Sequence, residues 1–183
     1  MARVPYREKS DMAPEDQDLF PPHINLRRAL SNNPAAARAM GVQAMYLRHH
    51  SKLDPRLREL AILVVAAVGR NPYEWVHHVD HGRKAGVTDP EIRAITTGIV
   101  SIFTPLERAI LSAAREMTNS STVADDTFAA LREGLDNAEI VDLIMSIGFY
   151  CGVLRILGAL QIDMDVELAH LLTDFPLPAA SDS

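Results

Sequence analysis

The stretch "LDPRLRELAILVVAAVGRNPYEWVHHVDHGRKAGVTDPEI", residues 53–92, decides the fold. Asp54-Pro55 is a capping side chain followed by proline, whose fixed φ and missing amide suit the first turn of a helix. Leu57, Leu60, Ala61, Val64 and Val68 then recur at helical spacing, and Gly69 with Asn71 ends the run. "PYEWVHHVDHGRKAG" reads as the next helix, stopped near Gly86, and Thr88, Asp89 and Pro90 open a third.

The same device recurs on both sides. "NPAAARAMGVQAMYLRHH" starts with Asn33-Pro34, "TPLERAILSAAREMT" and "TVADDTFAALREG" follow, and the last long helix spans about Asn137 to Leu160. Within it Ile140, Leu143, Ile144, Ile147, Cys151 and Leu154 form an apolar stripe. Strand signals are weak throughout, so the fold class is all-α. Residues 1–22, polar and punctuated by proline, read as an extended arm over a neighbouring surface; 23–165 form the helical domain, and 166–183 a tail with a loose end.

Composition narrows the function classes. Of 183 residues 48% are hydrophobic and 23% charged, enough to bury a sizeable core. The net charge of −6, with acids and bases mixed and no basic stripe, argues against a nucleic-acid partner. "MARVPYREKS" is polar with no apolar stretch behind it, so no signal peptide is expected, and "LAILVVAAVG" is far too short to cross a bilayer. Cys151 is the single cysteine and permits no intramolecular disulfide. A cytoplasmic protein with no membrane partner is expected.

Two segments share an order of parts: "LDPRLRELAIL … GRKAGVTDPEI" and "FTPLERAILSA … LREGLDNAEI". Each has a proline-started helix, a second helix ending in glycine, and an acidic start to a third, which is a degenerate internal repeat. Opposite Glu74, His77, His78 and His81 the second copy has Thr122, Asp125, Asp126 and Ala129. Only the first copy carries histidines.

At about 100° per residue, His78 lies about 40° to one side of Glu74, with His81 about 20° and His77 about 60° to the other. All four share one helix face. A carboxylate one turn before an imidazole can hold a proton between them, which suits acid/base chemistry near neutral pH. Which of Glu74 and His78 is the acid stays open. Two other readings compete: a metal site from His77, His81 and Glu74, although the stretch is not H-E-x-x-H, or a solvated polar face.

Residues 53–92 resemble the carboxymuconolactone decarboxylase and alkylhydroperoxidase D superfamily, and the likeness extends over about residues 25–165. It implies an alkylhydroperoxidase D-like helical bundle. In the peroxidase branch a glutamate precedes Cys-x-x-Cys-x-x-x-His; here Glu59 takes the glutamate's position, Asn71 and Glu74 stand in place of the cysteines, and His78 matches the histidine. Thiol peroxidase chemistry needs an attacking thiolate and a resolving thiol, so it is not expected. The resemblance instead implies an enzyme such as the decarboxylase, which acts on a carboxylated lactone with no organic cofactor and no metal.

On that reading Glu74, His78 and Glu59 are catalytic, while His77, His81, Tyr73, Trp75 and Arg155 shape a substrate pocket. Arg58, Arg70 and Arg83 are further cations for an acidic substrate. Oligomers of the superfamily imply a homo-oligomer, a trimer or hexamer. A non-catalytic oligomeric binding protein on the same scaffold is the alternative from another class.

Overall fold

The computed structural model describes residues 1–20 and 24–177. Among them the chain forms helices α1 (Asn25–Leu30), α2 (Pro34–His49), α3 (Pro55–Val68), α4 (Pro72–Lys84), α5 (Asp89–Thr97), α6 (Pro105–Ser120), α7 (Asp125–Arg132), α8 (Asn137–Leu160) and α9 (His170–Asp174), with no strand. The all-α class holds, and α8 has the bounds its apolar stripe predicts.

α3 is the central helix. Every residue from Arg58 to Ala67 is buried, because "LAILVVAAV" is apolar on all faces and α4, α6 and α8 pack round it. Gly82 lets α4 come close: a Cβ there would stand 3.2 Å from Leu63 Cδ1. Between α3 and α4 the left-handed residue is Arg70, at φ 49°, while Gly69 keeps an ordinary φ of −74°. Asn71 then accepts a hydrogen bond from the Glu74 amide and caps α4.

Capping boxes open two neighbouring helices of the two halves. Glu91 and Glu107 close capping boxes with Thr88 and Thr104, at the starts of α5 and α6. Arg56, in the first turn of α3, bonds both: Nη2 lies 2.6 Å from Glu91 Oε1 and 2.8 Å from Glu107 Oε1. On the far side of α3, buried Asp142 of α8 accepts from Tyr46 Oη, Ser51 Oγ and the Lys52 amide, fixing the link between α2 and α3.

α8 is long and apolar enough to cross a membrane by length and composition, a property its interruption by Asp142 and Arg155 hides from a search for unbroken apolar runs. Most of its apolar window, 56%, is buried against the rest of the chain, as befits a core helix.

Two regions differ from expectation. The N-terminal arm holds short 3₁₀ turns at Lys9–Asp11 and Pro14–Leu19 and packs on its own chain. The Arg3 amide donates to Leu160 O at 2.8 Å, and Met12, Leu19 and Phe20 form a small second core with Ala37. The chain after residue 165 is docked as far as it is described. Leu171 and Phe175 are buried in the main core, the Trp75 indole donates to Phe175 O at 2.7 Å, and the Phe175 ring lies under the guanidinium groups of Arg83 and Arg93. Aromatic burial and cation–π contact outweigh the prolines that suggest a loose end. The boundary expected at 22/23 and the last residues, 178–183, lie outside the described residues.

Candidate active site

Three helices converge on one buried imidazole. His78, on the inward face of α4, is 1% exposed. Its Nδ1 lies 2.6 Å from Glu59 Oε2 on α3, and its Nε2 lies 3.0 Å from Glu74 Oε1 one turn earlier on α4. The Tyr150 ring of α8 stands edge-on to it, with centroids 4.6 Å apart. Glu59 and Glu74 are each 4% exposed. Both imidazole nitrogens therefore face carboxylates.

The electrostatics follow from that sandwich. Burial alone would strip the proton from His78, but the charge and hydrogen bond of Glu59, with those of Glu74, outweigh it and hold the pKa up at about 9. At neutral pH the ring is an imidazolium donating from both nitrogens. Glu59 is pushed up by burial, yet His78 and then Arg58 bring it below the usual carboxylate range. Arg58, itself buried, bonds Glu59 Oε1 at 3.4 Å and donates to Leu47 O at 2.9 Å. Each buried charge is thus compensated, as burial requires.

His81 is only half-buried and behaves differently. Loss of water and the neighbouring His78 cation lower its pKa to about 4, so it is neutral at pH 7. Its ring sits edge-on to His78 at 5.4 Å. His77 turns the other way: it stacks on Tyr73 with centroids 4.6 Å apart, and its Nε2 lies 2.9 Å from Asp165 Oδ2. Asp165 also accepts from the Asn25 amide, and Tyr73 Oη from the Leu26 amide, so this pair fastens α1 beside the site. Among the described residues no group of three or more His, Cys, Asp or Glu side chains is placed to hold a metal ion.

A cavity of about 90 Å³ opens over Glu74 and His78. Tyr73 and His77 also line it, together with apolar side chains including Leu30, Met40, Phe149 and Val153. Glu59 stands behind His78, outside the lining. Of the other residues singled out from sequence, His81 and Trp75 are outside it as well; Trp75 is fully buried, with its indole committed to Phe175. Arg155 is exposed on α8, and its guanidinium donates to Cys151 O of its own helix. Among the other cations, Arg83 pairs with Asp89 on the surface. Cys151 is buried 3.6 Å from Thr118 Oγ1.

Sequence reasoning did not find Tyr150, Arg27 or Arg48, all of which line the cavity. Burial pushes the Tyr150 phenol up to about 12, which keeps it protonated. The signal for Tyr150 was available: a hydroxyl on the apolar stripe of a core helix needs a polar partner. Arg27 and Arg48 carry no such mark, because α1 and α2 reach the site only through tertiary packing.

The geometry can be set beside known proteins. Residues 34–116 match the model of the carboxymuconolactone decarboxylase family. No curated protein matches the chain in sequence. Among solved structures, a peroxidase-related protein with an alkylhydroperoxidase AhpD core from Ralstonia eutropha JMP134 superposes with a TM-score of 0.79 at 20% identity, covering 92% of this chain and 94% of its own. A variant of the debrominase Bmp8 with one cysteine replaced by alanine, solved in complex with 2,3,4-tribromopyrrole, gives a TM-score of 0.79 at 16% identity over 96% of this chain and 98% of its own. A peroxidase-related protein from Silicibacter sp. TM1040 gives 0.71 at 21% identity, over 78% and 76%. At such identities these likenesses establish a shared fold.

Proposed function

We propose that the protein, whose residues 34–116 match the carboxymuconolactone decarboxylase family model, is an acid/base enzyme on that scaffold, a lyase or isomerase acting on a small lactone or keto acid. One observation carries this reading: an imidazolium held between two buried carboxylates, one of which faces a largely apolar cavity. Asn71 and Glu74 replace the thiols of the peroxidase motif, so thiol peroxidase activity is not part of the proposal.

The roles follow from access. Glu74 lines the cavity and exchanges the proton with substrate; His78 supplies and restores that proton, and Glu59 holds His78 charged and oriented. In a decarboxylation the C–C bond to the carboxylate breaks and carbon dioxide leaves. The electron pair spreads into the lactone carbonyl, His78 passes its Nε2 proton to Glu74, and Glu74 delivers it to carbon. Glu74 is again a carboxylate, and solvent returns the proton to His78. His77 and Tyr73 wall the pocket and keep α1 against it. The chemistry calls on no organic cofactor or metal.

The test is turnover of γ-carboxymuconolactone by metal-stripped protein, followed by loss of ultraviolet absorbance and by carbon dioxide release. Turnover that disappears in Glu74→Gln supports the assignment. Full activity in both Glu74→Gln and His78→Ala would sink it, and an inactive parent protein moves the search to other lactones and β-keto acids. The proposal includes a homo-oligomer, trimer or hexamer, because Val42, Met45 and Tyr46 on α2 and Val141 and Met145 on α8 are exposed on helices that Tyr46 and Asp142 join. A light-scattering mass equal to the 20.1 kDa monomer would remove that part.

A further inference from the structure

We infer that Arg27 of α1 and Arg48 of α2 form an anion subsite in the same cavity, which takes the carboxylate of a small and otherwise apolar acid. What the bound acid then meets rests on the acid/base reading above; the binding does not.

The first argument is partnership. Arg28, Arg38, Arg56, Arg58 and Arg83 each form an ion pair with a carboxylate. Among the described residues neither Arg27 nor Arg48 has a carboxylate within ion-pair distance. Arg27 is half-buried and offers five N–H donors, yet its guanidinium makes one long bond, Nη1 to Ala37 O at 3.5 Å. A half-buried guanidinium with so few protein partners keeps donors open to a ligand from the cavity.

The second argument is space. The Arg27 guanidinium lies against Gly41, where a Cβ would come within 3.2 Å of Nη1. A residue without a side chain thus makes room for it beside the cavity. Arg48 lines the same cavity from the end of α2. The residue as a whole is exposed, but its guanidinium loses some water, and Tyr150, Glu59 and Glu74 more than make this up and keep it charged. Partial burial and then the Arg48 charge both work against the Arg27 cation, so the two positive groups are close enough to repel.

The third argument is charge balance. Glu59 and Glu74 are matched by His78 and Arg58. Arg27 and Arg48 are then surplus positive charge at an otherwise neutral site. Planar guanidinium forks suit a carboxylate, which both can hold by charge-assisted bonds. Met40, Phe149 and Val153 leave an apolar wall for the rest of the molecule. The pair is thereby the specificity determinant: it selects an acid over its neutral analogue and sets which end of the ligand faces Glu74.

Titration calorimetry with benzoate and with benzamide, the uncharged counterpart, tests this at pH 7.5 on the full chain. Benzoate is expected to bind and benzamide to bind at least about tenfold more weakly, the size of one lost charged hydrogen bond. Arg27→Gln and Arg48→Gln should each weaken benzoate roughly tenfold or more, whereas Arg27→Lys, which keeps the charge but loses the planar fork, should weaken it less than Arg27→Gln does. Arg155→Gln, off the cavity, should change nothing. Glu74→Gln should still bind benzoate, so failure of the acid/base reading is seen in turnover and failure of the subsite in binding. No benzoate binding to the parent protein, equal binding of benzamide, or unchanged affinity in both glutamine variants would overturn the inference. Unliganded melting temperatures identify any variant that has lost its fold, and for that position Arg→Lys decides.

Discussion

α4 and α7 hold corresponding places in the two halves of the repeat, and they have opposite characters. α4 runs 13 residues and buries Glu74 and His78 with its apolar side chains. α7 runs 8 residues, buries Leu131 alone, and leaves Asp125 and Asp126 in solvent. Both are entered from a proline-started helix and both lead to a capped third helix. The scaffold therefore closes without buried ions at this position. Burying charge costs free energy that well-packed apolar side chains would not, so the Glu–His–Glu sandwich of α4 asks for a use beyond holding the fold.

That contrast can be broken most directly by kinetics. Glu74→Gln should lower turnover of γ-carboxymuconolactone by roughly 10²- to 10⁴-fold, the usual worth of a general acid or base. Asp126→Asn on α7 should leave it unchanged. Equal losses in the two variants would mean that the halves do not differ in function.

Stability sharpens the same comparison. Glu59→Gln leaves the His78 cation short of a buried partner and should cost about 3–5 kcal/mol in urea unfolding. Asp125→Asn, fully in solvent, should stay within about 0.5 kcal/mol.

The pH dependence comes next. The folded pKa of His78, about 9, lies above that of a free histidine. Its stabilisation is full below about pH 6.5 and disappears as pH rises through about 9, because the unfolded chain releases the proton first. The unfolding free energy should fall by a few kcal/mol, in order of magnitude, across that window, and His78→Gln should flatten it. α7 has no histidine and contributes no such slope.

The smallest effect belongs to His81. Its folded pKa of about 4 means that it stabilises the fold above about pH 6.5 and loses this as pH falls towards 4. His81→Gln should raise stability at pH 5 by about 1 kcal/mol, measured against the parent protein.

The helices were legible because their beginnings are written locally. Asp54-Pro55, Thr88-Asp89-Pro90 and Thr104-Pro105 each place a capping oxygen before a proline, and no distant contact is needed to read them. The shared face of Glu74 and His78 was legible for a similar reason, since one turn of helix separates them. What lies across the core was not. Arg27, Arg48 and Tyr150 reach the cavity from three other helices. Trp75 and His77 are drawn to Phe175 and Asp165, about 90 to 100 residues further along the chain. A periodicity places a residue on a face and says nothing of what comes to meet it.

Arg56 gives the two halves something in common that their sequences do not advertise. One guanidinium completes the opening turns of α5 and α6 while belonging to the first turn of α3. If the first turn of α3 frays, Glu91 and Glu107 lose their common partner at once, whereas fraying of α5 or of α6 leaves Arg56 with the other carboxylate. The start of α3 is therefore the one place where a local opening is felt in both halves of the repeat.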